Sequence, residues 1–431
     1  MSDAPSTLHY PRPSSLVERA LTPLLRFLYL PGVFQRLYLV PSLPAVVRKP
    51  YATEKRWWGD DRFAVPEELR DVAGIRRDLA AEDEAARTAP LQDWLTIHPE
   101  AVRYIFKHGW RTFLTTAPRV QRANRRLKVL AAAQPAASAA PAAANALAAD
   151  PAALSRALKD RGRELGLSAV SVAEHDPRYT FAPYRDSQLG DRVVVLALDQ
   201  SWEATNTAPS IRSEKAAFVA YADLTDRGNA LTEWLQAQGY RARLHDFQGE
   251  NVILHYAVVS GLGQMGINGQ VLTPSAGSRC RVTSITTDAP LAIDQPVDYG
   301  IHKICDECKI CVRRCPSGAI PARRTMYRGV EKAKLNMVRC APVVAQTHGC
   351  AVCMKVCPIQ RYGLRPVLDE YNATGRILGK DTDELEGYTF HGQWYGAGER
   401  PRLADEFLTP PGLVFDATRT APQPGAHRQF R

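Results

Sequence analysis

Eight of the nine cysteines crowd into two short runs. Cys305, Cys308, Cys311 and Cys315 fall within eleven residues, and Pro316 follows the last of them. Cys350, Cys353 and Cys357 form the second run, with Pro358 after it and Cys340 ten residues before Cys350. Thiolates packed this closely suit a soft metal. In an iron–sulfur cube each iron is tetrahedral and takes one thiolate from the protein, so short spacings let one turn of chain offer three sulfurs to one cube. Zinc sites and disulfides are the other uses of clustered cysteines. Zinc ribbons prefer separated C-x2-C pairs, without a doubled run closed by proline.

The spacing C-x2-C-x2-C-x3-C-P is that of bacterial ferredoxins, in which the fourth cysteine ligates the other cluster of a two-cluster domain. Crossing the fourth cysteines assigns Cys305, Cys308, Cys311 and Cys357 to one [4Fe–4S] cluster. Cys340, Cys350, Cys353 and Cys315 then hold the second. Cys280 is left over, and a small buried hydrophobe is the default for such a residue. Two clusters alone make an electron carrier. Here a long α/β-like region precedes them, so the electrons are expected to reach a bound substrate or cofactor.

The elements that must position this chemistry are legible in outline. A period of Leu154, Leu158 and Leu165 predicts a helix leading through Gly166 into an apolar strand over 169–173. "DRVVVLAL" (191–198) is a near-continuous apolar run, the mark of a strand buried on both faces. "AAFVAYADLTDRGNALTEWLQAQGYRARLHDF" predicts a long helix stopped by Gly239, then a short strand. "NVILHYAVVSGLGQMG" predicts a helix or strand entering a glycine loop, and 277–291 alternates like a strand. Upstream, Ala131–Ala153 is Ala/Pro-rich. Pro135, Pro141 and Pro151 break its helix propensity, which predicts a linker or surface segment. Residues 1–130 carry Trp57, Trp58 and Trp110 but no chemical motif. Gly261, Gly263 and Gly266 spell G-x-G-x-x-G, yet a dinucleotide fingerprint needs a strand before it and a helix after it. "INGQVLTPSAG" follows and reads as turn and strand, so the NAD reading fails on context.

A different match fits these segments. "SGLGQMGINGQVLTPSAGSRCRVTSITTDAPL", followed by the doubled cysteine motif, resembles the corrinoid-dependent reductive dehalogenases and their relatives, the epoxyqueuosine reductases. The shared pieces are Gly261 to Gly266, Thr273–Pro274, Gly277 to Arg281 and Thr287 to Leu291, with Ala208–Pro209–Ser210 and Tyr221, Gly239 and Tyr240 upstream. The resemblance covers about residues 155–365. It implies an α/β (α+β) fold: a nitroreductase-like corrinoid-binding domain over 154–298, then a bacterial-type two-[4Fe–4S] ferredoxin domain over 299–365. Residues 1–130 have no assigned role, 131–153 form the linker, and 366–431 wrap the surface. The implied cofactors are the two clusters and a base-off cobalamin or other corrinoid, near Gly261, Gly263, Gly266, Thr273, Pro274 and Gly277. Glycine there would let backbone approach a large flat ring. Tyr221 matches the family's proton donor and Arg281 its assisting cation. In an alternating strand Arg279 and Arg281 share a face and Cys280 points the other way.

The match has departures. Where dehalogenases often carry an asparagine seven residues after the Gly-Tyr tyrosine, this chain has Phe247, with Asn251 nearby. Tyr221, Ala222 and Asp226 reproduce the Tyr-Ala-x-x-x-Asp context of the epoxyqueuosine reductases' catalytic aspartate, but Arg227 and Gly228 replace the Tyr-His that should follow. Asp226 therefore reads as a solvated helix acid. The resulting expectation is a reductive dehalogenase-like oxidoreductase acting on a small organic molecule. The alternatives are an epoxyqueuosine-type enzyme acting on tRNA and a non-catalytic two-cluster carrier. No flavin or NAD module is visible, which implies an external ferredoxin or flavodoxin as low-potential donor.

Composition bounds the rest. A chain of 431 residues, 45% hydrophobic and 23% charged, is long enough for two or three domains with a large buried core. The formal charge is +10. Its densest source is Arg103, Lys107, Arg111, Arg119, Arg122, Arg125, Arg126 and Lys128, a run without an acid. Such a run is either a solvated helix face or a docking patch for an acidic redox protein or RNA. The apolar stretch 15–40 is interrupted by Arg19, Arg26, Arg36, Pro23 and Pro31, so it lacks the ~20 apolar residues of a membrane span and a clean signal core. The paired Arg76 and Arg77 lie too deep for a twin-arginine signal. A cytoplasmic setting is expected, where structural disulfides are disfavoured.

Overall fold

The central strand of the α/β region is buried on both faces because different elements cover each side of the sheet. The structure is a computed structural model that describes residues 110–134, 150–180, 188–245 and 251–404, short gaps between 328 and 349 apart, together with Thr7, Leu8 and Leu16. Trp57, Trp58, Arg76, Arg77, Arg103, Lys107, Phe247, the 15–40 stretch beyond Leu16 and the chain after 404 lie outside the described residues.

Six strands precede the cysteines: β1 (Ala169–Glu174), β2 (Arg192–Asp199), β3 (Ala242–Leu244), β4 (Gln264–Met265), β5 (Val271–Leu272) and β6 (Cys280–Thr287). Four of them form one antiparallel sheet in the order β1-β2-β6-β3. Its helices are α1 (Trp110–Ala132), α2 (Pro151–Glu164), α3 (Trp202–Thr205), α4 (Ile211–Ala237) and α5 (Ile253–Val259). Alternation along β2 sends Val194, Leu196 and Leu198 to one face, where they meet Leu154 and Leu158 of α2 and Leu224, Leu231 and Leu235 of α4. Val193, Val195 and Ala197 go to the other, against Tyr256 and Ala257 of α5 and Val271 of β5. A fully apolar β2 is thus consistent with an antiparallel sheet once both faces are covered.

Local signals set the helix ends. The Ser210 hydroxyl accepts from Ser213 N at 3.1 Å to open α4, and Gly239 (φ +89°) turns the chain away after it. Pro151 opens α2 at its first helical position, where its missing N–H costs nothing, and the Asp150 carboxylate caps the turn by accepting from Ala152 N at 2.8 Å. The sequence expectation that Pro151 breaks helix is corrected there.

The basic run is also corrected in part. Arg119 pairs with Asp223, and Arg126 with Glu233 (Nε to Oε1, 2.8 Å), across the α1–α4 contact. Asn229 donates to Ala123 O at 2.9 Å in the same seam. Arg122, Arg125 and Lys128 stay exposed. Two of these five cations, Arg119 and Arg126, therefore hold α1 to the α/β layer.

The second half of the chain folds around the cysteines through α6 (Ile301–Cys308), α7 (Ile310–Arg314), β7 (Thr325–Tyr327), β8 (Val330–Lys332), α8 (Val352–Lys355), α9 (Pro358–Tyr362), α10 (Leu364–Thr374), α11 (Asp383–Glu386), β9 (Tyr388–Phe390) and β10 (Gln393–Tyr395). Part of the segment expected to wrap the surface reaches inside. Tyr388, Phe390 and Tyr395 are core residues of the cysteine region. No helix among the described residues is long and apolar enough to cross a membrane.

Leu231 is fully buried between α4 and the sheet. Leu231→Ala is expected to destabilise the chain by about 2–5 kcal/mol, read as an earlier denaturant midpoint of the far-UV signal.

Candidate functional site

The described structure brings the eight clustered cysteines into two groups. The thiols acting on Cys311 are, in order, those of Cys308, Cys305, Cys357 and Cys353. On Cys340 they are those of Cys315, Cys350 and Cys353. A pocket is lined by Cys305, Cys308, Cys311 and Cys357 together with Ile267, Leu272, Ile304 and Ile359. Burial pushes the thiols of Cys308 and Cys350 up to about 12, and those of Cys311, Cys340, Cys353 and Cys357 also rise, chiefly through burial and then through one another. Among the described residues no group of His, Cys, Asp or Glu is spaced to grip a single metal ion. A cube differs from a zinc site in this respect, because its four thiolates bind four different irons and stand further apart.

Both runs use the same local device. Lys309 (φ +50°) follows Cys308 and Ala351 (φ +58°) follows Cys350, each in the left-handed region that non-glycine residues avoid. Each turn starts a short helix, α7 or α8, carrying the next cysteine. Backbone N–H groups then meet sulfur: Ala319 N donates to Cys315 Sγ at 3.3 Å. Donors aimed at sulfur suit a negatively charged ligand.

The glycine-rich segment packs closely against neighbouring chain. A Cβ on Gly263 would lie 2.4 Å from Leu272 O, and one on Gly277 (φ +57°) would lie 2.4 Å from Gln360 Cγ. Gly261 and Gly266 are likewise filled by Gln295 and Leu272. The close approach that requires glycine is to the chain itself. Thr273 exchanges backbone hydrogen bonds with Gly277 at 2.9 Å in each direction, and Pro274 O accepts from Leu364 N at 3.0 Å. Ser278 Oγ accepts from Gln360 Nε2 at 2.7 Å. This turn joins the sheet to the cysteine region.

Tyr221 and Arg281 meet. The Arg281 guanidinium lies 4.9 Å from the Tyr221 ring centroid, because Arg281 leaves β6 on the face that α4 covers. Cys280 turns the other way and is buried. Arg279 precedes β6, and its guanidinium returns to the carbonyl of Gln200. Sequence reasoning missed Glu214, seven residues before Tyr221 on the same side of α4 and facing Arg281. Burial pushes its carboxyl up, and Arg281 opposes that. The i, i+7 spacing carried the signal. Asp226 is half-buried: burial pushes its carboxyl up and Arg126 of α1 opposes this, so it is not the solvated acid expected. Asn251 is buried, its Oδ1 accepting from Thr180 Oγ1 at 2.8 Å.

Around the C-terminal end of β2, buried polar atoms are left over. Asp199 Oδ1, Gln200 Oε1, Trp202 Nε1, Arg279 Nε, Arg281 Nε and Gln360 Oε1 find no hydrogen-bond partner among the described residues. Such a concentration calls for an explanation, because buried polar groups are normally satisfied. The same Gln200–Ser210 stretch continues into a cavity of about 480 Å³ lined by Asn206 to Pro209, Thr347, Lys355, Asp383, Tyr388, His391 and Trp394. Lys355 lies between Cys353 and Cys357 and is 7% exposed. Burial, and then Arg361 and Arg314, lower its pKa to about 8. Tyr221 and Arg281 do not line this cavity.

No family model matches the sequence. The tetrachloroethene reductive dehalogenase of Sulfurospirillum multivorans is 29% identical over 180 residues, which is 40% of this chain and 36% of that protein. That of Dehalobacter restrictus is 30% identical over 179 residues, 38% of this chain and 32% of that protein. The chain thus spans little more than a third of the length of these dehalogenases. The epoxyqueuosine reductase of Pseudomonas aeruginosa is 29% identical over 261 residues, 49% of this chain and 70% of that protein. Among solved structures, the catabolic reductive dehalogenase NpRdhA gives a TM-score of 0.54 at 20% identity, over 83% of this chain and 55% of that one. A reductive dehalogenase described with a mechanism for B12-dependent dehalogenation gives 0.50 at 21%, over 78% and 51%. These likenesses show a mixed α/β fold of the reductive dehalogenase kind. The chain's homologues are oxidoreductases of two names, reductive dehalogenase and epoxyqueuosine reductase, and they support the superfamily that holds both.

The two thiol groups make a spectroscopic prediction. With one [4Fe–4S] cluster in each group, Cys315→Ala and Cys357→Ala should each lower iron from about eight to about four per chain. Cys315→Ala is expected to lose the same EPR signal as Cys340→Ala, and Cys357→Ala the same one as Cys305→Ala. A signal shared instead by Cys315→Ala and Cys305→Ala would overturn the grouping.

Proposed function

We propose that the chain is a corrinoid-dependent iron–sulfur reductase that removes a leaving group, halide in the dehalogenase-like case, from a small organic substrate. The observation that carries this reading is the adjacency of two four-thiol groups to an α/β layer in which Tyr221 and Arg281 meet. Cys305, Cys308, Cys311 and Cys357 would hold one [4Fe–4S] cluster, and Cys315, Cys340, Cys350 and Cys353 the other. The left-over polar atoms of Asp199, Gln200, Trp202, Arg279 and Gln360 suit a ring fringed with amides, and the adjoining cavity is of ligand-site size. Gly261, Gly263, Gly266, Thr273, Pro274 and Gly277 would serve that site as its frame, bracing the rim against α9.

When bound, the clusters supply one-electron transfer and a base-off corrinoid supplies a strongly nucleophilic reduced metal. The chain's own residues handle protons and charge. Tyr221 holds a proton on its phenol oxygen for delivery to the substrate carbon. Arg281, stacked on the ring, stabilises the negative charge that delivery leaves behind. Glu214 sets the charge around Arg281 from the same helix. Lys355 adds a cation to the cavity wall beside the second thiol group. The electron donor would be an external low-potential ferredoxin or flavodoxin.

The tRNA reading draws support from the longer alignment with the Pseudomonas aeruginosa enzyme. It fits the geometry less well. Tyr221 and Asp226 are five residues apart, about 140° around the helix, so one faces β6 while the other faces α1. Arg119 and Arg126 are engaged by acids of α4 rather than left for phosphates.

Anaerobic purification with cobalamin should yield about eight irons and about one cobalt per chain. Eight irons without cobalt would sink the corrinoid role and leave an electron carrier. In the loaded protein, Tyr221→Phe is expected to cut dehalogenation of a halogenated phenol or alkene by about 10²–10⁴-fold with iron and cobalt unchanged. Full turnover at normal loading would remove Tyr221 from the proton step.

A further inference from the structure

Arg314 is the largest fully buried side chain among the described residues, and it adjoins Cys315 in sequence. The segment 383–395 encloses it. Its Nη2 donates to Glu386 O at 2.9 Å and to Tyr395 O at 3.1 Å. Its guanidinium carbon lies 4.8 Å from the Tyr388 ring centroid, and the Tyr388 hydroxyl donates back to Arg314 O at 3.0 Å. Tyr388 in turn stands within electrostatic range of Cys350 and Cys315.

The hydrogen bonding of this site is incomplete. Glu386 is fully buried too, with Oε2 at 3.7 Å from Arg314 Nε, too long for a hydrogen bond. Glu386 divides itself: Oε1 accepts from Asp381 N at 2.9 Å and lies 3.8 Å from Arg313 Nη2. Arg314 Nε and Nη1 have no hydrogen-bond partner among the described residues. Lys355 lies within electrostatic range on the other side. Asp383 and Glu399 also lie within electrostatic range of Arg314, and Asp381 lies 3.6 Å from Arg313, yet none of them meets the open Arg314 donors. A buried cation with open donors is strongly unfavourable unless further negative charge lies close by. Four thiolates around an iron–sulfur cube supply such charge, and the group containing Cys315 is the adjacent one.

We infer that Arg314 raises the reduction potential of the cluster held by Cys315, Cys340, Cys350 and Cys353, and that Glu386 opposes it from the 383–395 segment. The inference rests on the iron–sulfur part of the proposed function and does not depend on the corrinoid. A cation beside an anionic centre favours the state with one more electron, and a carboxylate disfavours it. The two residues therefore act with opposite sign on that cluster.

An EPR-monitored redox titration of the full-length, cluster-loaded protein tests this. Glu386→Gln keeps the shape and the acceptor for Asp381 N but removes the charge. It should shift one midpoint upward by at least ~59 mV, the one-electron equivalent of a tenfold change, and leave the other nearly in place. Arg314→Gln should shift the same midpoint downward, and Arg314→Lys should restore most of the shift. The shifted signal should be the one lost in Cys340→Ala. Simple loosening of the segment would admit water in both variants and shift the midpoint the same way in each, which would overturn the inference. Unmoved midpoints in Glu386→Gln would overturn it as well, even where Arg314 variants fail to fold. A parent protein without cluster signals would sink the iron–sulfur reading itself.

Discussion

In the proposed clusters, sulfur that carries negative charge would sit in a place that opposes negative charge. Ile304, Ile310, Val352 and Ile359 pack with the cysteines in one apolar core, and there a thiolate is stable only beside a compensating cation. The surrounding structure is consistent with that single requirement. The left-handed turns at Lys309 and Ala351 hold cysteines at fixed separations. Backbone N–H groups, such as that of Ala319, meet sulfur. Tyr388, Phe390 and Tyr395 keep water away. Two buried cations adjoin these cysteines in sequence, Arg314 beside Cys315 and Lys355 between Cys353 and Cys357.

The α/β layer meets this core through a small set of contacts. The Thr273–Gly277 turn reaches it by backbone at Leu364 and, just beyond, by Ser278 at Gln360. The glycines around this turn are there because neighbouring chain fills the space a side chain would take. On the far side of the sheet's end, Arg361 lies over the Trp202 ring, its guanidinium carbon 5.2 Å from the ring centroid. The thiol groups and Arg281 are thereby joined by elements close in sequence to the cysteines, with α4 contributing Tyr221 from further away.

What the sequence made legible follows from how local each feature is. Cysteine spacing is local, so a grouping of all eight positions could be proposed from it. β2 and α4 were readable because an unbroken apolar run and a long helical period survive whatever packs on them. Tyr221 and Arg281 came from resemblance, since nothing in their own surroundings marks them. Pro151 misled because proline breaks a helix in its interior yet suits its first turn. Asp226 and the basic run misled because exposure depends on α1 docking onto α4. Arg314, Glu386 and Lys355 were invisible for a like reason: their meaning arises only when residues 383–395 fold back over the cysteines.

The hairpin of β9 and β10 has two sides. Tyr388, Phe390 and Tyr395 belong to the cysteine core, while Tyr388, Thr389, His391 and Trp394 border the 480 Å³ cavity. One thin partition therefore serves as the inner wall of one compartment and the outer wall of the next. A lineage adapting the cavity to a new molecule cannot reshape this partition freely, because each change would also disturb the insulation around the sulfur. Variation in what the cavity accepts should accumulate on the opposite bank, along Asn206 to Pro209, where the chain answers to one compartment alone.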